Sequence, residues 1–93
     1  MALSFVWDPA KAKRNVEKHH VDFGEAATVL LDDLSVTYPD PDHSIDEERY
    51  VTFGASARGR LLVVAHAERG HAIRLISARE MTRGEIHYYE ESK

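Results

Sequence analysis

The sequence predicts an α+β domain in which two N-terminal helices and one C-terminal helix cover an antiparallel sheet, in the order β-α-α-β-β-β-β-α. Three observations carry this. Two helix-start signals stand close together near the N-terminus, at Asp8-Pro9 and at Asp22-x-x-Glu25, and a third, Thr82-x-x-Glu85, stands near the C-terminus. Between them run β-branched and aromatic stretches punctuated by Pro, Gly and Asp. Helices gathered at the two ends of a run of strands give an α+β layout, not the alternation of a parallel α/β sheet.

The elements follow in order. Ser4 to Trp7 is a short apolar stretch with the look of an edge strand. Asp8 then caps a helix whose first position is Pro9, where the missing N–H costs nothing. This helix runs to about His20, with Ala12 and Val16 on one side and Lys11, Asn15 and Lys18 on another; His20 falls at its C-terminus, where a cation favours the macrodipole. In the second helix Phe23, Ala26, Ala27 and Leu30 repeat at i, i+3, i+4 and i+7, the spacing of one buried face. Leu34 to Tyr38 is the next strand, stopped by Pro39-Asp40-Pro41-Asp42. An acidic loop to Glu47 leads into a strand over Arg49 to Gly54, and Ala57-Arg58-Gly59 is a turn. Arg60 to Ala67 and Ala72 to Arg79 form a hairpin around Arg69-Gly70. In the last helix Met81, before the cap, is placed to staple to Ile86.

A chain of 93 residues with 43% apolar and 30% charged residues is expected to form one domain, 1–93, with a compact core. It has no cysteine, which excludes a disulfide framework and thiolate chemistry. The longest apolar run, Leu61 to Ala65, is far short of a membrane span, and no signal-peptide core precedes it, so cytoplasmic residence with no membrane partner is expected. The net charge of −4 conceals a strong asymmetry. Asp22, Glu25, Asp32, Asp33, Asp40, Asp42, Asp46, Glu47 and Glu48 fall in a stretch with no Lys or Arg, whereas Arg49, Arg58, Arg60, Arg69, Arg74 and Arg79 follow with Glu68 as their one intervening acid. Local field, not total charge, decides whether such a chain meets a polyanion.

The hairpin is where chemistry is expected. With the turn at Arg69-Gly70, Arg60 lies opposite Arg79 and His66 opposite Ile73, which puts Arg60, His66, Ser77 and Arg79 on one face. A loop longer by one residue brings Arg74 opposite His66 instead. Like charges across a ladder destabilise it unless an anion bridges them, and a phosphate is such an anion. Cleavage of RNA without a metal needs a proton acceptor for the 2′-hydroxyl, a donor for the leaving 5′-oxygen, and cations on the phosphorane oxygens. Histidine serves either proton-transfer role near neutrality, and arginine presents a planar fork to phosphate. The candidate catalytic set is Arg60, His66, Glu68, Arg74 and Arg79, with Glu68 or Glu48 as partner base. Lys11, Asn15 and Lys18 form a helical stripe suited to a phosphodiester backbone, or to plain solvation. The six histidines lack ligand spacing, so no metal and no cofactor is expected.

Taken together these segments resemble the BrnT family of toxins. The resemblance lies in Phe5-Val-Trp-Asp-Pro-x-Lys11-x-x-x-Asn15-x-x-Lys18-His19-x-Val21-x-Phe23-x-Glu25-Ala26, in Glu48-Arg49 before a strand, in Gly59-Arg60-Leu-Leu-Val-Val, in Ile73-Arg74-Leu-Ile-Ser77-Ala-Arg79, and in Thr82-Arg83-x-Glu85 with Tyr88/Tyr89-Glu. It spans essentially the whole chain. The resemblance implies a RelE-like fold, RNA cleavage that inhibits translation, and a BrnA-type antitoxin partner. It also implies higher-order toxin–antitoxin complexes that reach operator DNA only through the antitoxin. It assigns Lys11, Asn15, Lys18, His19, Arg49 and Arg69 to RNA binding, beside the catalytic set above. The family often carries Gly where this chain has His20, and some members lack a histidine at the place of His66. A second reading keeps the antitoxin interface and operon autoregulation without catalysis.

Overall fold

The computed structural model describes residues 4–43 and 47–92, so part of the acidic loop (44–46) lies outside the described residues. The elements are β1 (Ser4–Val6), α1 (Pro9–His19), α2 (Phe23–Val29), β2 (Val36–Pro39), a 3₁₀ turn (Pro41–His43), β3 (Arg49–Ala55), β4 (Leu61–Arg69), β5 (Ala72–Glu80) and α3 (Arg83–Glu91). The five strands lie in the order β1-β5-β4-β3-β2. The expected order of elements is present, but the sheet is mixed, because β1 pairs with β5 in parallel. The reason is topological. The two helices carry the chain from β1 at one edge to β2 at the other, and the following meander returns to β1 from its open side.

The local signals act through their side chains. Asp8 accepts from the N–H of Ala10 with Pro9 in the first turn, and Asp22 accepts from the N–H of Glu25 at 2.7 Å. Thr82 and Glu85 form both halves of a capping box, and Met81 shares a buried cluster with Ile86. At α2 the box is only half formed, because the Glu25 side chain is drawn away to Arg60 and Ser56. His20 ends α1 in the left-handed region at φ 59°, a conformation glycine adopts without cost.

The two faces of the sheet differ. One is covered by α1 and α2, where Val21, Phe23, Ala26 and Val29 pack on Leu62, Val64, Leu75 and Ala78. On the other, α3 covers only one end, with Tyr89, Met81 and Val63 at its centre. Val16 is 43% exposed, and the buried residue of α1 is Asn15, from the side that carries Lys11 and Lys18. The reason lies in β5. β1 pairs only as far as Arg74, so beyond that point β5 has an unpaired edge. The Asn15 amide stands in for the missing strand: Nδ2 donates to the carbonyl oxygens of Ala78 (2.9 Å) and Val21 (2.8 Å), and Oδ1 accepts from the N–H of Ala78 (3.0 Å). Asn15 is therefore a buried strut between helix and sheet, not part of an RNA-facing stripe.

The hairpin departs from both expected registers. Its two-residue turn is Gly70-His71, with Gly70 at φ 62° in the first central position, where type II′ turns take glycine. Moreover, the ladder slips between Ala65 and His66: His66 pairs with Leu75, Ala65 with Ser77, and Ile76 has no partner. Arg60 thus lies before β4 and does not face Arg79, whose partner is Val63; His66 faces Leu75, not Ile73 or Arg74.

Asn15→Ala leaves the buried N–H and C=O of Ala78 without partners, and should lower stability by about 2–4 kcal/mol in urea unfolding. His20→Gly should raise stability by about 1 kcal/mol, which for a domain of this size is roughly 4–8 °C in Tm. No change in either variant would contradict the roles given to these two residues.

Candidate functional site

The β5 bulge decides which side chains share a face. Arg74 and Arg79 stand five apart and would point oppositely on a regular strand; the extra residue, Ile76, turns both to the side away from α1 and α2. At the end of that face not covered by α3, Ala67 pairs with Arg49 on one side and Arg74 on the other, and Arg69 follows two residues along β4. The floor is alanine, so the three long side chains fold over Ala67 and leave it fully buried. All three guanidinium groups converge on one carboxylate, Glu47. Arg74 hydrogen-bonds it, and Arg49 and Arg69 lie 3.7 and 3.6 Å away. Burial pushes the Glu47 carboxyl up, but Arg74 and then Arg69 and Arg49 outweigh this and hold it below the usual carboxylate range. Arg74 is largely buried, and its Nε has no hydrogen-bond partner among the described residues.

Of the expected catalytic residues, only Arg74 is in this cluster, together with Arg49 and Arg69 from the expected RNA-binding set. Arg60 lies on the helix side. Its Nε donates to Oε2 of Glu25 at 2.9 Å, and Nη2 donates to the carbonyl of His20 at 3.0 Å. Glu25, inside the protein, is held below its ordinary pKa by the Arg60 hydrogen bond, opposed by burial and aided by the Ser56 hydroxyl at 2.7 Å. Arg79 makes a two-pronged pair with Glu85 (2.7 and 2.8 Å) and so ties β5 to the start of α3. The expected Arg60–Arg79 juxtaposition does not exist, because each arginine has its own carboxylate on a different face.

His66 is buried on the helix-covered face. Its Nε2 lies 2.7 Å from the Thr52 hydroxyl, its ring stacks on Tyr50 with centroids 5.9 Å apart, and Nδ1 has no partner among the described residues. Burial pushes its pKa down, which favours the neutral ring. The Tyr50 hydroxyl in turn donates to Glu48 at 2.9 Å. Glu68 is exposed near the hairpin turn, across from Ile73. Lys18 is exposed on α1, with Lys11 and His19 half-buried, along the flank whose centre Asn15 occupies. Sequence reasoning missed Glu47. Its signal was present, as the last acid but one before the arginine-rich half, but nothing in the spacing singled it out from Glu48. Among the described residues no group of three or more His, Cys, Asp or Glu is arranged to hold a metal ion, and no helix is long and apolar enough to cross a membrane.

Comparison with known proteins gives this geometry a context. A family model described as the ribonuclease toxin BrnT of type II toxin–antitoxin systems matches residues 7–85. The 1.1 Å crystal structure of the Brucella abortus ribonuclease toxin BrnT superposes with a TM-score of 0.70 at 22% identity, covering 88% of this chain and 100% of that one. At that identity the likeness establishes the fold. A search of curated proteins returns no match.

The Arg79–Glu85 pair has a pH signature. Glu85 is held at about 2, against an ordinary value of 4.5, first by the Arg79 hydrogen bonds, opposed by burial, and then by the Thr82 backbone N–H. A depressed folded-state pKa means stability that is complete above about pH 4.5 and lost as pH falls toward about 2. Glu85→Gln should therefore unfold at lower urea than the parent at neutral pH, and the gap should close as the pH approaches 2. A gap independent of pH would show that the charge of Glu85 is not what holds α3 to β5.

Proposed function

The chain belongs to the BrnT family of ribonuclease toxins of type II toxin–antitoxin systems, and we propose from this that it cleaves RNA at the three-arginine end of the open sheet face. The observation that carries the reading is the convergence of Arg49, Arg69 and Arg74 on one carboxylate, with the Nε–H of Arg74 buried and without an acceptor among the described residues. Three guanidinium groups gathered in one place match the oxygens of a phosphodiester in charge and in geometry.

In the proposed reaction the scissile phosphate enters among the three guanidinium groups. The 2′-oxygen of the preceding ribose attacks phosphorus to form the 2′,3′-cyclic phosphate, and the 5′-oxygen of the next nucleotide leaves, taking a proton from solvent water. Arg74 and Arg49, fixed on adjacent sides of Ala67, stabilise the charge that grows on the phosphorane oxygens. Glu47 accepts the 2′-hydroxyl proton. Free, it is a weak base because the arginines hold it ionised. The incoming phosphate shares their charge, which raises the basicity of Glu47 as the substrate binds. The positive charge needed at the phosphate comes from side chains, so the proposed chemistry is metal-independent. Arg69, more exposed, binds substrate without a central part in the chemistry. Arg60 and Arg79 act through the fold, and His66 through the packing of β3 on β4. Lys11, Lys18 and His19 extend the RNA contact around the sheet edge.

At the level of the cell, the reading is a RelE-like toxin acting on cytoplasmic RNA and so inhibiting translation. It is neutralised by a BrnA-type antitoxin that assembles with it and carries the DNA-binding function.

Expression without an antitoxin should arrest growth, and the purified chain should cleave RNA in the presence of a chelator. Arg74→Ala should lower the cleavage rate by about 10²–10³-fold, the cost of losing one donor to a developing oxyanion, with antitoxin binding retained. Arg69→Ala should mainly raise KM. Undiminished cleavage by Arg74→Ala would remove the cluster from the mechanism, and antitoxin binding with no cleavage by the parent would favour a non-catalytic module.

A further inference from the structure

The same face carries a second feature, beside α3. Between α3 and strands β2 and β3 lies an open groove of about 430 Å³ walled by Val36, Tyr38, Val51, Phe53 and Tyr88. Tyr38 and Tyr88 are large apolar groups left 49% and 76% exposed, and β2 is an edge of the sheet. We propose that this groove is the docking site for an apolar-faced, positively charged segment of the protein antitoxin. The proposal rests on the family membership, which implies a protein antitoxin, and not on the arginine cluster being catalytic.

Charge selects the occupant. Asp40 and Glu85 line the rim, Glu85 already engaged by Arg79. The chain entering and leaving β2 carries Asp32, Asp33, Asp40 and Asp42 with no Lys or Arg, and α3 carries Glu85, Glu90 and Glu91 against Arg83. The acidic rim and the acids on the flanking elements disfavour a polyanion such as RNA, whereas a segment with Lys or Arg flanking apolar anchors gains at both levels. The lining is mostly aromatic and aliphatic, suited to a row of apolar side chains from an amphipathic segment. The arginine cluster has the opposite sign and an alanine floor, so one face offers two sites that choose different partners.

The test measures affinity for a purified BrnA-type antitoxin, together with RNA cleavage by each free variant. Tyr88→Glu places a charge in the groove at an exposed position, so the fold is retained, and it should weaken antitoxin binding by about tenfold or more. Tyr88→Phe should keep the affinity of the parent. Asp40→Lys should also weaken binding and flatten its dependence on salt. Cleavage by free Tyr88→Glu should equal that of the parent. Unchanged antitoxin affinity in both Tyr88→Glu and Asp40→Lys would overturn the proposal. So would loss of cleavage by Tyr88→Glu with antitoxin affinity intact, which would make the groove a nucleobase site. Affinity decides the docking surface whether or not the parent cleaves RNA, so failure of the active-site reading is seen separately in cleavage.

Discussion

Between Ala65 and His66 the β4–β5 ladder shifts by one residue, and both faces of the domain depend on that shift. Leu75 and Ala78 stand three apart, yet both pack in the helix-covered core, which an unbroken strand with its period of two does not allow. The residue that makes the difference, Ile76, has no partner in the ladder. The same step brings Arg74, Ser77 and Arg79 together on the open face. A bulge thus gives the core its two closures on α1 and α2, and gives the open face a cation at each end.

What happens to those cations is decided by the carboxylates. Arg60, Arg74 and Arg79 each meet one: Glu25 on α2, Glu47 before β3, and Glu85 on α3. Two of these pairs join separate elements and act as ties. Glu25 is almost fully inside, and its several donors compensate for its lost hydration. Glu85 satisfies the first turn of α3 while it holds Arg79. The third pair differs, because Glu47 faces three arginines at once. An acidic chain thus gathers three arginines at one end of one face, and its pI of about 5.8 does not describe the charge there.

Much of the fold was legible in the sequence where a local rule had no competitor. Asp8-Pro9 and Thr82-x-x-Glu85 started helices as their spacing required, and every strand was found within a few residues. The failures came where a distant group decided. Asn15 read as one of a polar stripe because its partner, the unpaired edge of β5 at Ala78, is 63 residues away. Glu25 read as a capping residue until Arg60 claimed it. The hairpin register failed on a single point of turn chemistry, since glycine at the first central position moves every cross-strand pair, and the bulge moved half of them again. The arginine-rich hairpin stood out in the sequence, but the pairing that singled out Arg60, His66 and Arg79 followed from a register the chain does not adopt.

The dimensions of the open face connect the two proposed sites. Val51, in the wall of the groove, lies two residues from Arg49, about 7 Å along the strand. The N–H of Asp40 on the groove rim donates to the carbonyl of Arg49 at 2.8 Å, so the groove wall and the arginine cluster share a backbone rung. A docked helix has a diameter of about 10–12 Å with its side chains, more than the distance between the two sites. On the proposed docking, a helical segment seated on Tyr38 and Val51 would overlie Arg49 as well, with its cations kept toward Asp40 and away from the three arginines. Inhibition in this arrangement needs no transmitted conformational change. On the two proposals together, an antitoxin segment held by the apolar, acidic part of the face would by its width alone close the arginine cluster to a phosphodiester.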